Sequence, residues 1–269
     1  MRILDSMGVD YKVFVEPQEV DEYSKNINYK KIVMLPFSNL GKGSTPARNF
    51  ILEYSRSRNE ERHWILDDNI EGFNRLNRNK KLLCKSPAIF RASEDFTDRY
   101  ENIALSGFNY YSFCKSTDPV PAFYLNTRVY SCILVNNLIP YKWRGKYNED
   151  TDLSIRLLKD GWCTVLFNAF LCGKVTTQRM KGGNTDNVYT DNDNRYRFAK
   201  SLQERHPDVV KVTKKFGRWH HHVNYSPFKK NRLIKKEGLK INDNINEYNM
   251  RVVKNEHQKT PPPSKLNPS

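Results

Sequence analysis

The sequence predicts an α/β domain in which helices flank a mostly parallel β-sheet. The first third of the chain alternates short apolar runs with amphipathic segments, which is the pattern of strands joined by crossover helices. With 269 residues and 38% hydrophobic residues, the chain can bury a sizeable core and is not disordered as a whole.

The elements of the first third follow from local patterns. Residues 2–7 predict a helical turn, and the runs YKVFVEP, KIVMLPF and HWILDDNI predict three strands. Between the last two strands, the glycines of LGKGSTPARNF indicate a loop. Ser44 or Thr45 can cap the helix that follows, and Pro46 suits its first turn.

The middle of the chain predicts further strands, IALSGFNYY and TRVYSCILV, on either side of a helix over SEDFTDRYEN. A helix in RGKYNEDTDLSIRLLKDGW places Leu153, Leu157 and Leu158 toward the core, and CTVLFNAFLC predicts a buried strand. Residues 182–194 predict a mobile loop, and a last amphipathic helix carries Phe198 and Leu202.

These elements predict one domain over residues 1–234. The remainder, residues 235–269, is basic and proline-rich without a core pattern, so we expect it to be poorly ordered. The formal net charge of +15 favours a polyanionic partner, although a generally basic protein has the same composition.

The five cysteines are widely spaced and form no CxxC pair, so neither a zinc ribbon nor a thioredoxin-like motif is predicted. Free cysteines in apolar runs fit a reducing compartment. The N-terminus lacks the apolar stretch of a signal peptide, and no segment has the roughly 18 apolar residues of a membrane span. We therefore expect a cytoplasmic protein that does not bind membranes.

Two polar groups lie at the places where α/β sheets bind ligands. Asp67, Asp68 and Asn69 end a buried strand and offer hard oxygen ligands for Mg²⁺ or Mn²⁺, although a turn after a strand has the same composition. Arg48 and Asn49 lie early in a helix that follows a glycine-rich loop, where an anion is favoured. A solvated helix arginine is the alternative.

Two further groups carry candidate chemistry. In Asn148-Glu149-Asp150-Thr151-Asp152, Asn148 can act as an N-cap and the acids suit the first helical turn, but three acids exceed what a cap requires. One of them can act as a general base toward a hydroxyl. Three histidines follow Trp219; they are either metal ligands or a surface run.

The order of these motifs resembles that of glycosyltransferases. GKGSTPARNF, HWILDDNIEGF and RGKYNEDTDLSIRLLKDGW resemble the Ala-Arg-Asn, DxD and Glu-Asp motifs of family 2-type enzymes with the GT-A fold. More narrowly, VFVEPQE, LPFSNLGKGS, YLNTRVYSCIL and VTKKFGRW are similar to phage-encoded TET-associated glycosyltransferases, which are related to the C-terminal domain of vertebrate GREB-type proteins. The resemblance covers roughly residues 5–234.

The resemblance implies a nucleotide-sugar donor such as UDP-glucose, a Mn²⁺ or Mg²⁺ ion, and a modified DNA base such as 5-hydroxymethylcytosine as acceptor. It also implies roles for individual residues. Arg48, Asn49 and Asp67 would bind the donor, Asp150 would be the base, and Glu149 and Asp152 would support it. Asp68 or Asn69 would complete the metal site, and one of His221 and His222, with His222 preferred, would join the metal or the diphosphate.

Two features depart from the family pattern. Asn69 stands where the DxD motif has an acid, and the strand that normally opens a GT-A domain is missing, which we interpret as a truncated N-terminus. The remaining alternatives are a glycan or protein acceptor and a catalytically inactive DNA-binding module. Lys229, Lys230, Arg232, Lys235 and Lys236 are candidates for contact with a DNA backbone, or for a solvated basic tail.

Overall fold

The structure, a computed structural model, describes residues 2–174, 192–240, 244–246 and 248. The six α-helices of this part are α1 (Arg2–Ser6), α2 (Val20–Ser24), α3 (Thr45–Ser57), α4 (Ala88–Thr97), α5 (Glu149–Lys159) and α6 (Asn192–Arg205). None of the described helices is both long and apolar enough to cross a membrane.

The same part of the chain contains eleven strands. They are β1 (Val13–Val15), β2 (Ile32–Met34), β3 (Arg62–Leu66), β4 (Ile70–Asn77), β5 (Lys80–Leu83), β6 (Ile103–Tyr110), β7 (Phe123–Leu125), β8 (Cys132–Asn136), β9 (Cys163–Lys174), β10 (Val210–Lys215) and β11 (Arg218–Val223). Short 3₁₀ turns occur at Pro17–Glu19, Tyr29–Lys31 and Ser226–Lys230.

The main sheet has seven strands in the order β3-β8-β6-β9-β4-β5, with β7 paired to β9. Only β6 and β9 pair in parallel within it, so the prediction of a mostly parallel sheet is wrong and the sheet is mixed. The strands β1 and β2 form a separate parallel pair, and β10 and β11 form an antiparallel hairpin.

Two of the antiparallel pairs follow from short connections. Strands β4 and β5 are joined by Arg78 and Asn79, which both have positive φ angles (49° and 61°), as a two-residue hairpin turn requires. Phe216 and Gly217 join β10 to β11 in the same way, with φ angles of 50° and 73°. A parallel pair needs a crossover of about a dozen residues or more, which these connections do not provide.

Helices cover both faces of the main sheet, as predicted. Helix α4 packs Phe90 against Phe73 and Phe108 on one face, while Leu52 of α3 and Leu153 of α5 pack against Ile65 on the other. Because α3 and α5 share this second core, their first turns lie side by side. Both turns therefore reach the end of the sheet at which β3, β6 and β9 finish.

Several elements differ from the predictions in position. Helix α4 begins at Ala88, five residues before the predicted start, because Pro87 ends the preceding loop. The strand predicted over 127–135 is confirmed only from Cys132 onward. The hairpins β4–β5 and β10–β11 lack a strong apolar alternation and were not predicted.

The predicted mobile loop lies largely outside the described residues, as does most of the predicted tail. Within the described part of the tail, the Lys236 amide donates to the Arg99 carbonyl at 2.9 Å.

Gly107 of β6 marks a point where two strands approach too closely for a side chain. A Cβ atom there would lie 2.1 Å from the carbonyl oxygen of Cys132 and 2.7 Å from Cγ1 of Val129. We expect Gly107→Ala to lower the free energy of unfolding by about 3 kcal/mol, because neither strand can move without disturbing the core. Chemical denaturation measures this, and Gly72→Ala is the control, since its Cβ meets nothing within 4 Å. Equal stability of the two variants would contradict the packing described.

Candidate functional site

Five charged side chains meet at the end of the main sheet where β3, β6 and β9 finish. Helix α3 contributes Arg48, the end of β3 contributes Asp67, and the end of β9 contributes Lys174. The first turn of α5 contributes Glu149 and Asp150. These five residues are called the charged cluster below.

Arg48 is the centre of the charged cluster. Its Nη2 donates to Oδ1 of Asp67 at 3.0 Å and lies 3.9 Å from Oε1 of Glu149, while its Nη1 donates to Oδ1 of Asp150. The Arg48 side chain is only 7% exposed. A guanidinium buried among three carboxylates is held in one orientation, so it fixes the positions of all three acids.

Asp67 and Lys174 form the second ion pair of the charged cluster. Lys174 Nζ donates to Oδ2 of Asp67 at 2.7 Å and to the hydroxyl of Ser131 at 3.0 Å. Burial raises the pKa of Asp67, but the charges of Arg48 and Lys174 outweigh it and hold this pKa below its ordinary value. Burial lowers the pKa of Lys174, yet the charge of Asp67 leaves it above its ordinary value. Both groups are therefore ionised at neutral pH.

Asp150 has one carboxylate oxygen fixed and one available. Its Oδ1 accepts hydrogen bonds from Arg48 and from Nε1 of Trp143, the latter at 3.1 Å. Its Oδ2 accepts no hydrogen bond from a described residue, and the side chain is 14% exposed. The carboxylate is thus oriented by two donors while one oxygen can accept a proton from a bound molecule.

The neighbours of Asp150 serve to place it. Ser44 Oγ donates to Oε1 of Glu149 at 2.8 Å. Asn148 precedes α5 as predicted, but its φ of 58° is left-handed and its side chain donates to the carbonyl of Phe198 at 3.2 Å instead of capping the helix. The left-handed backbone at Asn148 lies directly before the first turn of α5, where Asp150 pairs with Arg48.

Asn49 contacts the protein backbone through both ends of its amide. Its Nδ2 donates to the Trp143 carbonyl at 2.9 Å, and its Oδ1 accepts from the Trp143 amide at 2.8 Å. Asn49 therefore holds the segment that carries the indole donor to Asp150. The predicted donor contact of Asn49 stays a prediction.

Asp152 lies away from the charged cluster, in a network of its own. It is fully buried and accepts hydrogen bonds from Arg144 (2.9 Å), Arg156 (3.3 Å), Arg205 (3.1 Å) and His206 Nε2 (3.0 Å). Burial raises its pKa, but the bonds from His206 and Arg144 and the charge of Arg205 lower it to about 2. Asp152 thus joins α5 to α6 and does not face a cleft.

The three predicted metal ligands do not come together. Asp68 is exposed, His222 is exposed on β11, and Asn69 has a buried Oδ1 without a hydrogen-bond partner. Both oxygens of Asp67 are occupied by cationic side chains. Within the described residues no group of three or more His, Cys, Asp or Glu side chains has the arrangement of a metal site. The donor set as arranged therefore does not fit a divalent cation, and metal binding stays a prediction.

Sequence reasoning did not identify Lys174, Ser131 or Trp143. Lys174 is the last residue of an apolar strand, and Asp67 directly follows one. Polar residues at the carboxyl ends of such strands are candidates for ligand binding, so the same criterion also identifies Lys174. The contact of Trp143 with Asp150 depends on a loop conformation that no local pattern predicts. The predicted residues that the structure does bring together are Arg48, Asp67, Glu149 and Asp150.

Comparison with known families agrees with these motifs. A family model described as TET-Associated Glycosyltransferase matches residues 1–183, which is more than half of the 269-residue chain and includes the charged cluster. No curated protein and no solved structure was found to match significantly.

Proposed function

The chain belongs to the TET-associated glycosyltransferase family, and from this premise we propose that it transfers a sugar from a UDP-linked donor to a hydroxyl of a modified DNA base such as 5-hydroxymethylcytosine. Membership of the family makes the chain a glycosyltransferase. The donor, the acceptor and the assignment to the GT-A class are part of the proposal, because the mixed sheet has the helices of that class but not its largely parallel order.

The orientation of Asp150 carries the proposal. In the proposed step, Oδ2 of Asp150 takes the proton of the acceptor hydroxyl while the hydroxyl oxygen bonds to the anomeric carbon of the sugar. The bond between that carbon and the diphosphate breaks in the same step, and UDP leaves with the electron pair. A single displacement of this kind inverts the anomeric centre. A base held by Arg48 and Trp143 needs no reorganisation to perform it.

Charge at the site also bears on the leaving group. The charged cluster has three carboxylates and two cations, Arg48 and Lys174, all within one connected set of ion pairs. Lys174 lies at the end of β9 with a half-buried ammonium, where it can meet the developing negative charge of UDP. A fixed cation in a site shielded from water stabilises such charge more than it does in bulk water.

A DNA acceptor is supported by the net charge of +15. Counterion release makes the affinity of such contacts fall steeply with salt, and a flat salt response would remove DNA as the acceptor. A base within a duplex is hidden in the stack, so the enzyme would act on a flipped base or on a single strand.

The acceptor is tested by transfer of labelled sugar from UDP-glucose, UDP-GlcNAc and UDP-galactose to DNA with hydroxymethylcytosine, to unmodified DNA and to a glycan. Label on the modified DNA alone supports the proposal. Label on the glycan alone would indicate a different acceptor class, and binding of DNA without donor turnover would indicate an inactive module. Parallel reactions with Mn²⁺, Mg²⁺ and EDTA show whether the reaction depends on a metal.

The ammonium of Lys174 gives a prediction about the donor. We expect Lys174→Met to lower the rate of sugar transfer about 100-fold, since one charge facing the leaving group is lost. Initial rates under saturating donor measure this. Lys142→Met is the matched control, because Lys142 pairs with Glu53 at 3.1 Å on the surface and should keep the wild-type rate. Equal rates for the two variants would exclude Lys174 from the reaction.

A further inference from the structure

Beside the charged cluster lies a second group of side chains that the proposed reaction does not use. It consists of Arg128 and Tyr130, in the segment between β7 and β8, together with His221 of β11 and Tyr225 just after it. Trp219, His221 and Val223 are the less exposed side chains of β11, and its other three residues are exposed. These features place the His221 ring on the inner face of the hairpin, toward Arg128.

Two polar atoms of this group are buried without a partner. Neither Nε2 of His221 nor the hydroxyl of Tyr225 makes a hydrogen bond with any residue that the structure describes, although both atoms are inaccessible to solvent. Leaving a buried donor unsatisfied lowers the free energy of unfolding by about 1–3 kcal/mol. Two such atoms beside one arginine therefore destabilise the folded protein unless a bound group satisfies them. Both atoms can donate a hydrogen bond, and a bound group rich in acceptor oxygens would satisfy them.

Arg128 has no carboxylate among its main electrostatic partners, which are the hydroxyls of Tyr130, Tyr225 and Tyr110. Its guanidinium carbon lies 4.9 Å from the centre of the Tyr130 ring. Within the described part of the chain, Arg128 therefore carries a positive charge without a carboxylate partner, in contrast to the cations of the charged cluster.

The two groups are connected through aromatic rings. Tyr110 and Tyr130 stack edge to face with centroids 4.6 Å apart, and Lys174 Nζ lies 5.6 Å from the Tyr110 ring. In the charged cluster both cations are paired with carboxylates, whereas Arg128 has no carboxylate partner among the described residues. Two further potential donors lie beside Arg128, so this group can bind a phosphate in addition to any contact that Lys174 makes with the leaving group.

We propose that Arg128, His221 and Tyr225 form a subsite for a phosphate group, with Tyr130 as the wall between this subsite and the charged cluster. The phosphate belongs either to the diphosphate of the sugar donor or to the backbone of a nucleic-acid acceptor. The identity of the ligand that carries the phosphate rests on the proposed function. The existence of the subsite is independent of it, because ligand binding can be measured without turnover.

The test uses Arg128→Gln and Tyr225→Phe in the full chain. The controls are Arg218→Gln, at an exposed arginine, and Tyr141→Phe, at a half-buried tyrosine whose hydroxyl donates to Asp160. Isothermal titration calorimetry measures binding of UDP, pyrophosphate and a hydroxymethylcytosine oligonucleotide. We expect Arg128→Gln to weaken one class of ligand about 30-fold and Tyr225→Phe about fivefold, with the controls unchanged. The melting temperature of Tyr225→Phe without ligand should not fall, because the hydroxyl makes no hydrogen bond within the described residues.

The pattern of losses identifies the source. Weaker binding of UDP and pyrophosphate alone assigns the subsite to the donor, and weaker binding of the oligonucleotide alone assigns it to the acceptor. Unchanged affinity for all three ligands in both variants would overturn the subsite. If sugar transfer fails for every donor but the variants still lose phosphate affinity, the subsite stands and the proposed reaction does not.

Discussion

Replacing Asp152 with asparagine is expected to lower the free energy of unfolding by about 3–5 kcal/mol, the usual cost of breaking a buried ion pair by removing one partner. Asp152 is fully buried and accepts hydrogen bonds from three arginines and His206, so the variant leaves several buried donors and positive charges uncompensated. Urea unfolding followed by circular dichroism measures the change.

The matched control is Asp208→Asn. Asp208 pairs with Lys159 at 2.7 Å on the surface, and such pairs contribute at most about 1 kcal/mol. If both variants lost the same small amount of stability, the network around Asp152 would not hold α5 to α6 as described.

The same network predicts an acid response. The pKa of Asp152 is about 2 in the folded protein against the model-compound value of 3.8, so the folded state binds this proton less readily than the unfolded chain. The stabilisation is complete above pH 4 and is lost as the pH falls toward 2. The Asp152→Asn variant should therefore show a flatter decline of stability over this range than the wild type.

Replacing Asp150 with asparagine is expected to lower the rate of sugar transfer by about 100-fold to 10,000-fold, the range that general-base catalysis contributes. The amide oxygen can still accept from Arg48 and Trp143, so the geometry of the cluster is kept while the base is lost. Donor affinity should change little, because the removed function acts on the acceptor hydroxyl.

Initial rates and donor dissociation constants, measured on the same preparation, separate these effects. Asp208→Asn is again the control, since it removes a surface carboxylate without touching the site. A variant that keeps the wild-type rate would show that another group takes the proton. If Asp150→Asn lowered donor affinity by the same factor as the rate of sugar transfer, Asp150 would be a donor-binding residue.

The parts of the fold that could be predicted from sequence are those with strong local signals. The periodicity of α3 and α5 and the long apolar run of β9 gave correct elements, because the hydrophobic spacing of a helix or buried strand is local information. The order of the strands was not predictable in this way. A two-residue turn such as Arg78-Asn79 requires antiparallel pairing of the strands that it joins. Its positive φ angles are not predicted by its residue types.

The site was predictable to a similar extent. Arg48, Asp67 and Asp150 stand in recognisable motifs, and the structure brings them together because α3 and α5 share one core. Asp152 belongs to the same motif as Asp150, yet it faces the opposite way, since two positions along a helix differ by about 200°. The inward direction of His221 follows from the alternation of β11, a strand that the sequence did not indicate.

Sugar transfer to DNA with Asp150 as the base is tested most directly by the mass of an oligonucleotide with hydroxymethylcytosine after incubation with a UDP-sugar and the protein. We expect a gain of one sugar residue with the wild type and with Asp208→Asn, almost none with Asp150→Asn, and none on the unmodified oligonucleotide. An equal gain with Asp150→Asn, or donor turnover without any gain on the modified DNA, would contradict this proposal.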